Sequence, residues 1–145
     1  AMTHSAGFVD DYLAYLLARA SHLISSEFHA VVEASGLSLM EWRVMASLSG
    51  KDSLSVGELA DIVLAKQPTV TKLVGRMEEA GWVQRCDAPH DKRQSLVSLT
   101  PAGRRKVKPL LAQAQAHEAQ VTADIGAPEV DQLKRILERM IALRG

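Results

Sequence analysis

The chain has 145 residues, 47% hydrophobic and 23% charged, which fits one globular domain and excludes a disordered chain. Its single cysteine, Cys86, excludes an internal disulfide framework and a cysteine-rich zinc site. The net charge is zero, but the segment from Ile62 to Lys106 carries nine Lys or Arg against four Asp or Glu. Because local charge decides which surface meets a polyanion, this middle segment is a candidate nucleic-acid face.

A long first helix is predicted from Val9, because apolar residues recur at helical spacing for about seven turns. Gly36 is expected to end it. The longest apolar run, the seven residues from Tyr12 to Ala18, is far shorter than the roughly 20 that cross a bilayer. We therefore expect a cytoplasmic protein with no membrane partner and no secretory signal.

Two capping boxes, Ser38 with Glu41 and Ser55 with Glu58, predict the starts of two short helices. The residues expected to point inward from these helices are Trp42, Met45 and Leu48 in the first and Leu59, Ile62 and Val63 in the second.

A helix, a tight turn and a second helix are predicted between Leu54 and Ala80. The turn is Val63–Lys66, and the second helix begins near Pro68 and ends before Gly81. Its predicted apolar stripe consists of Val70, Leu73, Val74, Met77 and Ala80. In this arrangement, the second helix of a helix–turn–helix enters the major groove of DNA.

A β-hairpin is predicted next, from the strands Trp82–Arg85 and Ser95–Leu99 joined by a long polar loop. Helical spacing resumes at Thr100-Pro101 and continues to Gly126, and Pro128 begins a last amphipathic helix.

The polar side of the second helix supplies the candidate DNA contacts. We predict that the major-groove residues are Lys66, Gln67, Thr69, Thr71, Lys72 and Arg76. Ser55, at a helix N-terminus, is a candidate phosphate contact, although its capping role alone explains its presence. Gly75 leaves two interpretations open: close approach of a phosphate or base, or a packing requirement.

The hairpin tip, residues 90–94, adds cationic and polar side chains to this surface. A narrow minor groove attracts an inserted arginine, and Arg93 is the candidate, with His90 and Lys92 beside it. Asp91 is expected to orient Arg93 through an ion pair.

The order of these motifs resembles the MarR family of winged helix–turn–helix regulators over essentially the whole chain. The residues that carry the resemblance are Glu41–Met45, Leu59-Ala60, Thr69–Val74, Gly81–Arg85, Asp91-Lys92-Arg93, Val97–Thr100 and Gly103. The resemblance implies a homodimer held by the first helix and the last two, with one winged domain per subunit. It also implies that the wing arginine, here Arg93, enters the minor groove beside the recognition helix.

We therefore expect a mainly α (α+β) fold, a winged helix–turn–helix with long N- and C-terminal dimerisation helices. Residues 1–36 and 101–145 are expected to form the dimerisation region and residues 37–100 the DNA-binding region. The outer helices carry more apolar surface than the middle of the chain covers, which independently favours a dimer. A two-fold dimer predicts a pseudo-palindromic site with half-sites about 34–36 Å apart.

The resemblance also implies a small aromatic or phenolic acid effector, bound where the dimer helices meet the winged domain. Apolar walls with a few polar groups suit such a ligand. The candidate residues are Arg19, His22, Ser26, Trp42, Arg43 and Met45. For Trp42 and Met45, a place in the core is the alternative, and for Arg43 a structural ion pair is the alternative.

Catalysis, metal binding and redox sensing find little support in the residues. Cys86 and His90 would lie on a wing that cannot hold them at catalytic tolerance, and the chain has no phosphate loop or nucleophile elbow. The five histidines include no pair at helical ligand spacing, so we expect no metal and no cofactor. Cys86 is expected to be structural or incidental.

These observations predict a sequence-specific DNA-binding transcriptional regulator, a ligand-responsive repressor acting as a homodimer. The alternative is a winged-helix protein-interaction module, or an architectural DNA-binding module, without a small-molecule effector. A specificity ratio of about 10³ or more over random DNA distinguishes a regulator from these.

Overall fold

A computed structural model of the protein describes residues 7–88 and 91–145, with residues 88 and 91–94 described as backbone only. The described chain divides into two compact units. One, the helical unit, comprises residues 7–28 and Gln113–Gly145, and the other, the winged unit, comprises His29–Ala112. Helices α1 (Leu13–Ala34) and α5 (Pro101–Ile125) each contribute residues to both. The predicted division into a dimerisation region, residues 1–36 and 101–145, and a DNA-binding region, residues 37–100, refers to the dimer. It stays a prediction.

The helical unit contains the first part of α1, the last part of α5, and α6 (Ala127–Arg144). His117 on α5 lies 2.8 Å from a carboxylate oxygen of Glu27 on α1. Lys134 on α6 donates to Glu118 on α5 over 2.9 Å, and this hydrogen bond raises the pKa of Lys134 above its usual value. Polar contacts therefore join α1 to α5 and α5 to α6.

The first helix begins later than its periodicity predicted. Phe8–Asp11 form a separate 3-10 turn, because the carboxylate of Asp10 accepts a hydrogen bond from the Gly7 amide at 3.0 Å. Tyr12 is extended, and α1 starts at Leu13. The prediction that Gly36 ends the helix is confirmed, since α1 stops at Ala34 and Gly36 has a φ of 88°.

The winged unit adds the following elements between α1 and α5: α2 (Leu39–Leu48), β1 (Leu54–Ser55), α3 (Val56–Val63), α4 (Gln67–Glu79), β2 (Val83–Ala88) and β3 (Asp91–Leu99). The strands form an antiparallel sheet in the order β1-β3-β2. The fold is thus mostly helical with a small sheet, as the sequence predicted.

Both predicted capping boxes are confirmed. The Ser38 hydroxyl accepts from the Glu41 amide at 3.1 Å, and the Ser55 hydroxyl accepts from the Glu58 amide at 3.0 Å. The Ser55 amide donates back to the Glu58 carboxylate, which holds the pKa of that carboxyl below its usual value. These reciprocal hydrogen bonds fix the first residues of α2 and α3.

The core of the winged unit lies under α4, where Val70, Val74 and Met77 are completely buried. Three core predictions were wrong. Ile62 is 53% exposed, because it lies roughly 100° around α3 from the centre of the face that buries Leu59, Ala60 and Val63. Trp42 is only half-buried, and Ala80 is exposed because α4 ends at Glu79.

The hairpin is longer than predicted, and the sheet has one more strand. Residues assigned to a long loop pair instead, with Cys86 opposite Leu96 and Asp87 opposite Ser95, followed by a register shift at Asp87/Ala88. The polar composition was misleading because strand pairing uses backbone groups that every non-proline residue carries. β1 escaped detection because two residues, Leu54 and Ser55, are too short for a periodic signal.

Leu64, in the turn between α3 and α4, adopts the left-handed conformation with a φ of 59° while its side chain is 91% exposed. This conformation costs a residue with a Cβ about 1–2 kcal/mol, and the exposed Leu64 side chain makes no buried contact that would offset this cost. We expect Leu64→Gly to raise the free energy of unfolding by about 1 kcal/mol, measured by urea denaturation. Leu64→Ala keeps the penalty and should stay within about 0.5 kcal/mol of wild type. Equal stability of the two variants would contradict this explanation.

Candidate nucleic-acid interface

Helix α4 presents opposite chemistry on its two sides. Val70, Leu73, Val74 and Met77 are buried, so the remaining side chains point away from the core. All six predicted major-groove residues are exposed to solvent: Lys66, Gln67, Thr69, Thr71, Lys72 and Arg76. Lys66 is the N-cap residue, and Pro68 lies in the first turn. The N-terminal half of α4 therefore carries the free polar groups that a recognition helix requires.

The turn between α3 and α4 lies where predicted but is one residue shorter, because Val63 belongs to α3. α3 ends at Val63, and Leu64 reverses the chain with its left-handed backbone. The Ala65 amide then donates to the Ala60 carbonyl at 3.0 Å, which satisfies a group at the end of α3. These backbone contacts fix the angle between the two helices of the helix–turn–helix.

A cleft of about 300 Å³ lies where α3, α4 and the sheet meet. Its lining residues are Ser55, Val56, Gly57, Gln67, Thr71, Arg85 and Ser95. Three of the predicted DNA contacts, Ser55, Gln67 and Thr71, thus lie around one depression. Gly57 leaves room for Gln67, because a Cβ at residue 57 would lie 3.2 Å from the side-chain nitrogen of Gln67.

Ser55 has its hydroxyl engaged in the capping box, so the groups it leaves for a phosphate are the free backbone amides that follow it in α3. The first-turn amides of a helix attract anions through the helix dipole as well as by hydrogen bonding. The Glu58 carboxylate already lies at this helix N-terminus, where it accepts from the Ser55 amide, so a phosphate contact at Ser55 stays a prediction.

Arg85, in the middle of β2, is a cleft residue that the sequence did not single out. Its Nε and Nη2 atoms donate to Oε1 of Glu78 on α4 at 3.2 and 3.1 Å. The contact joins the strand of the wing to the recognition helix. The only available signal was its alternation with the buried Val83 in a strand, which did not reveal a partner on α4.

Charge is distributed unequally between the two units. His29–Ala112 contains twelve Lys or Arg and nine Asp or Glu, a formal charge of +3, and the rest of the sequence balances it at −3. The exposed polar face of α4 belongs to the positive unit. A polyanion is therefore attracted to the unit that carries the helix–turn–helix.

Comparisons with known proteins agree with this geometry. A statistical model of the MarR family matches residues 35–94. The chain is 32% identical to the homoprotocatechuate degradative operon repressor of Escherichia coli, over 92% of this chain and 90% of that protein. The chain belongs to the MarR family. It is accordingly a winged helix–turn–helix, DNA-binding transcriptional regulator.

Solved structures share the whole fold of this MarR-family chain. A MarR family transcriptional regulator from Silicibacter pomeroyi DSS-3 is 32% identical and matches with a TM-score of 0.86, over 97% of this chain and all of that one. The repressor CouR, solved on a 23-mer DNA duplex, is 23% identical and matches with a TM-score of 0.78, over 97% of this chain and 99% of that one. The CouR match shows a common fold.

The structure describes only part of the predicted wing tip of this MarR-family chain. His90 lies outside the described residues. Asp91, Lys92 and Arg93 belong to β3 rather than to a loop, which corrects the predicted hairpin tip, and only their backbone is described. Their contacts with DNA and with each other stay predictions. Cys86 is an exposed free thiol on β2.

The predicted effector residues fall into both compact units. In the helical unit, Arg19 donates to the Tyr15 hydroxyl at 3.3 Å, and the Ser26 hydroxyl donates to the His22 carbonyl at 2.7 Å. Trp42, Arg43 and Met45 lie on α2 in the winged unit. Met45 has no exposed surface, so it contributes to the core of its unit.

Two further observations concern the described residues, 7–88 and 91–145. No cluster of three or more His, Cys, Asp or Glu is arranged there to hold a metal ion. No helix within them combines the length and apolarity needed to cross a membrane.

Gly75, on α4, offers a direct test of close DNA approach. A Cβ there would meet no atom within 4 Å among the described residues, so packing does not require glycine. We expect Gly75→Ala to raise the free energy of unfolding by about 1 kcal/mol, because alanine is the better helix former. The same methyl group should weaken operator binding about tenfold by holding the duplex away, measured by fluorescence anisotropy. Because the variant should be more stable and yet bind more weakly, a folding defect cannot explain the weaker binding. Unchanged affinity would contradict close approach of DNA at residue 75.

Proposed function

We propose that the chain is a ligand-responsive repressor that binds a pseudo-palindromic operator as a homodimer. The observation that carries this proposal is the exposed polar face of α4, which is fixed outward by complete burial of Val70, Val74 and Met77. Its relative in Escherichia coli is named as a repressor, which supports the direction of regulation.

The DNA contacts are assigned to two elements. α4 reaches base edges and phosphates in the major groove through Lys66, Gln67, Thr69, Thr71, Lys72 and Arg76. The wing enters the minor groove with Arg93, flanked by His90 and Lys92 and oriented by Asp91. Ser55 marks the helix N-terminus that receives a phosphate at the cleft.

The homodimer is proposed from the surface of the helical unit. In the single chain that unit exposes many large apolar side chains, well beyond the scattered ones usual on a monomer. They are Phe8, Val9, Tyr12, Leu13, Leu16, Leu23, Ile24, Ile125, Leu133, Ile136, Ile141 and Leu143. A second copy that covers this surface by two-fold symmetry places two winged units on one duplex, with half-sites about 34–36 Å apart.

A small aromatic or phenolic acid is the proposed effector. The Escherichia coli relative is named for homoprotocatechuate, an aromatic carboxylic acid, which supports this ligand class. Arg19, His22, Ser26, Trp42 and Arg43 remain the proposed contacts, whereas Met45 is completely buried in the core of the winged unit. The acid releases DNA only if it binds the conformation with the wrong spacing of winged units more tightly than the DNA-bound one.

The chain is proposed to act by binding and not by catalysis. The remaining alternative is an architectural or protein-interaction module without an effector. Both a regulator and an architectural protein bind DNA in a salt-dependent way, because phosphate contacts release counterions in either case. Specificity over random DNA of about 10³ or more therefore decides between them.

Selection of bound duplexes from a random pool tests the proposal. A two-fold dimer should enrich an inverted repeat with half-site centres about 10 base pairs apart, one helical turn. Repeating the selection with homoprotocatechuate should reduce recovery, whereas an aliphatic acid of equal charge should not. Enrichment of a single half-site would contradict the dimer, and equal recovery with both acids would contradict the aromatic effector.

Arg93→Ala tests the proposed minor-groove contact. We expect the variant to fold normally and to bind the selected operator about tenfold to a hundredfold more weakly, because one inserted arginine is lost. Arg104→Ala is the matched control, since Arg104 is exposed on α5 and belongs to no proposed DNA contact. A mobility-shift titration measures both, and equal affinities of the two variants would count against the role of Arg93.

A further inference from the structure

Lys106, in the second turn of α5, contacts two other parts of the winged unit. Its Nζ atom donates a hydrogen bond to the carbonyl oxygen of Ser35 over 2.6 Å. The same ammonium group lies 5.5 Å from the ring centroid of Trp82. Ser35 immediately follows α1, and Trp82 immediately precedes β2. One side chain therefore joins α5 to the end of α1 and to the start of the wing.

Both contacts require the chemistry of a lysine or a close substitute. The last carbonyl groups of a helix have no intrahelical donor, and a cationic side chain satisfies one while complementing the negative end of the helix dipole. The face of an indole ring attracts the same cation. An apolar side chain of similar length, such as methionine, provides neither interaction.

The start of the wing is already fixed on α5 by backbone contacts. The Thr100 amide donates to the Trp82 carbonyl at 3.1 Å, and the Thr100 hydroxyl donates to the Gly81 carbonyl. Gly103 packs so closely that a Cβ there would lie 2.0 Å from the Trp82 oxygen. Lys106 adds the end of α1 to this arrangement. β2 and β3 lead from this junction toward Arg93.

We propose that Lys106 is a positioning residue for DNA recognition, which holds the end of α1 against the start of the wing and so sets the direction in which the wing extends. The inference rests on the DNA-binding mode proposed above. It gives Lys106 no contact with DNA, since its ammonium group is engaged inside the half-buried junction with Ser35 and Trp82.

Three variants separate positioning from charge. Lys106→Met removes the ammonium group and keeps the apolar stem, and Lys106→Arg keeps a cation that donates to a carbonyl and stacks on an indole. Lys108→Met removes the same charge two residues away, where Lys108 is exposed and has no ion pair within the described part of the chain. Operator affinity is measured by fluorescence anisotropy at several salt concentrations, well below each variant's melting temperature.

We expect K106M to weaken binding about fivefold to tenfold, a typical effect of altering a residue that couples two elements without touching the ligand. K106R and K108M should each stay within about twofold of wild type. The slope of log affinity against log salt should be the same for K106M as for wild type, because no phosphate contact is lost. If K106M does not fold, Lys106→Gln, which retains a neutral donor for the Ser35 carbonyl, replaces it and should lose about threefold.

Each other result overturns the inference. Equal weakening by K106M and K108M would assign the effect to charge alone. A salt slope reduced by about one would make Lys106 a phosphate contact. Equal weakening by K106R and K106M would show that a cation at residue 106 does not position the wing. A wild-type chain that binds no duplex would instead overturn the proposed function itself. Failure of the Lys106 inference is therefore distinguishable from failure of the proposed function.

Discussion

The buried side of α4 determines which chemical groups this protein offers to DNA. Val70, Val74 and Met77 are completely withdrawn from solvent, and burial of each such side chain stabilises the fold by about 1.5–3 kcal/mol. Turning α4 by one residue would bring these side chains toward water and draw Thr71 or Lys72 into the core. The register of the recognition helix is therefore fixed by hydrophobic burial on its back, before any contact with DNA is made.

The wing depends on a different kind of interaction, backbone hydrogen bonding at the place where it starts. Gly81 takes a left-handed conformation with a φ of 87°, which turns the chain from α4 into β2. Thr100 and Gly103 then approach the carbonyl groups of Gly81 and Trp82. Farther along β2, Arg85 is tied to Glu78 on α4. The two elements proposed to enter the two grooves are thus held to each other as well as to the core.

Local signals in the sequence predicted most of the architecture. The capping boxes at Ser38 and Ser55, the turn at Leu64 and the helix starts after Thr100 and Gly126 all depend on neighbouring residues, and the structure has them where expected. Exposure of the polar face of α4 also followed from the spacing of its apolar residues. These features are predictable because hydrogen bonds within one or two turns decide them.

The features that the sequence did not predict involve residues far apart in the chain. β1 exists because Leu54 pairs with Val97, and Arg85 acquires a role because β2 brings it beside Glu78 on α4. Ile62 follows Leu59 at helical spacing, yet the buried face of α3 is formed by Leu59, Ala60 and Val63 and leaves Ile62 53% exposed. The chain alone determined the order of the helices, most of their ends and the exposed polar face of α4, since these arise from periodicity and capping. Only the tertiary structure decided which strands pair, which apolar residues are covered and that Lys106 meets Ser35, because each depends on which distant segment lies opposite.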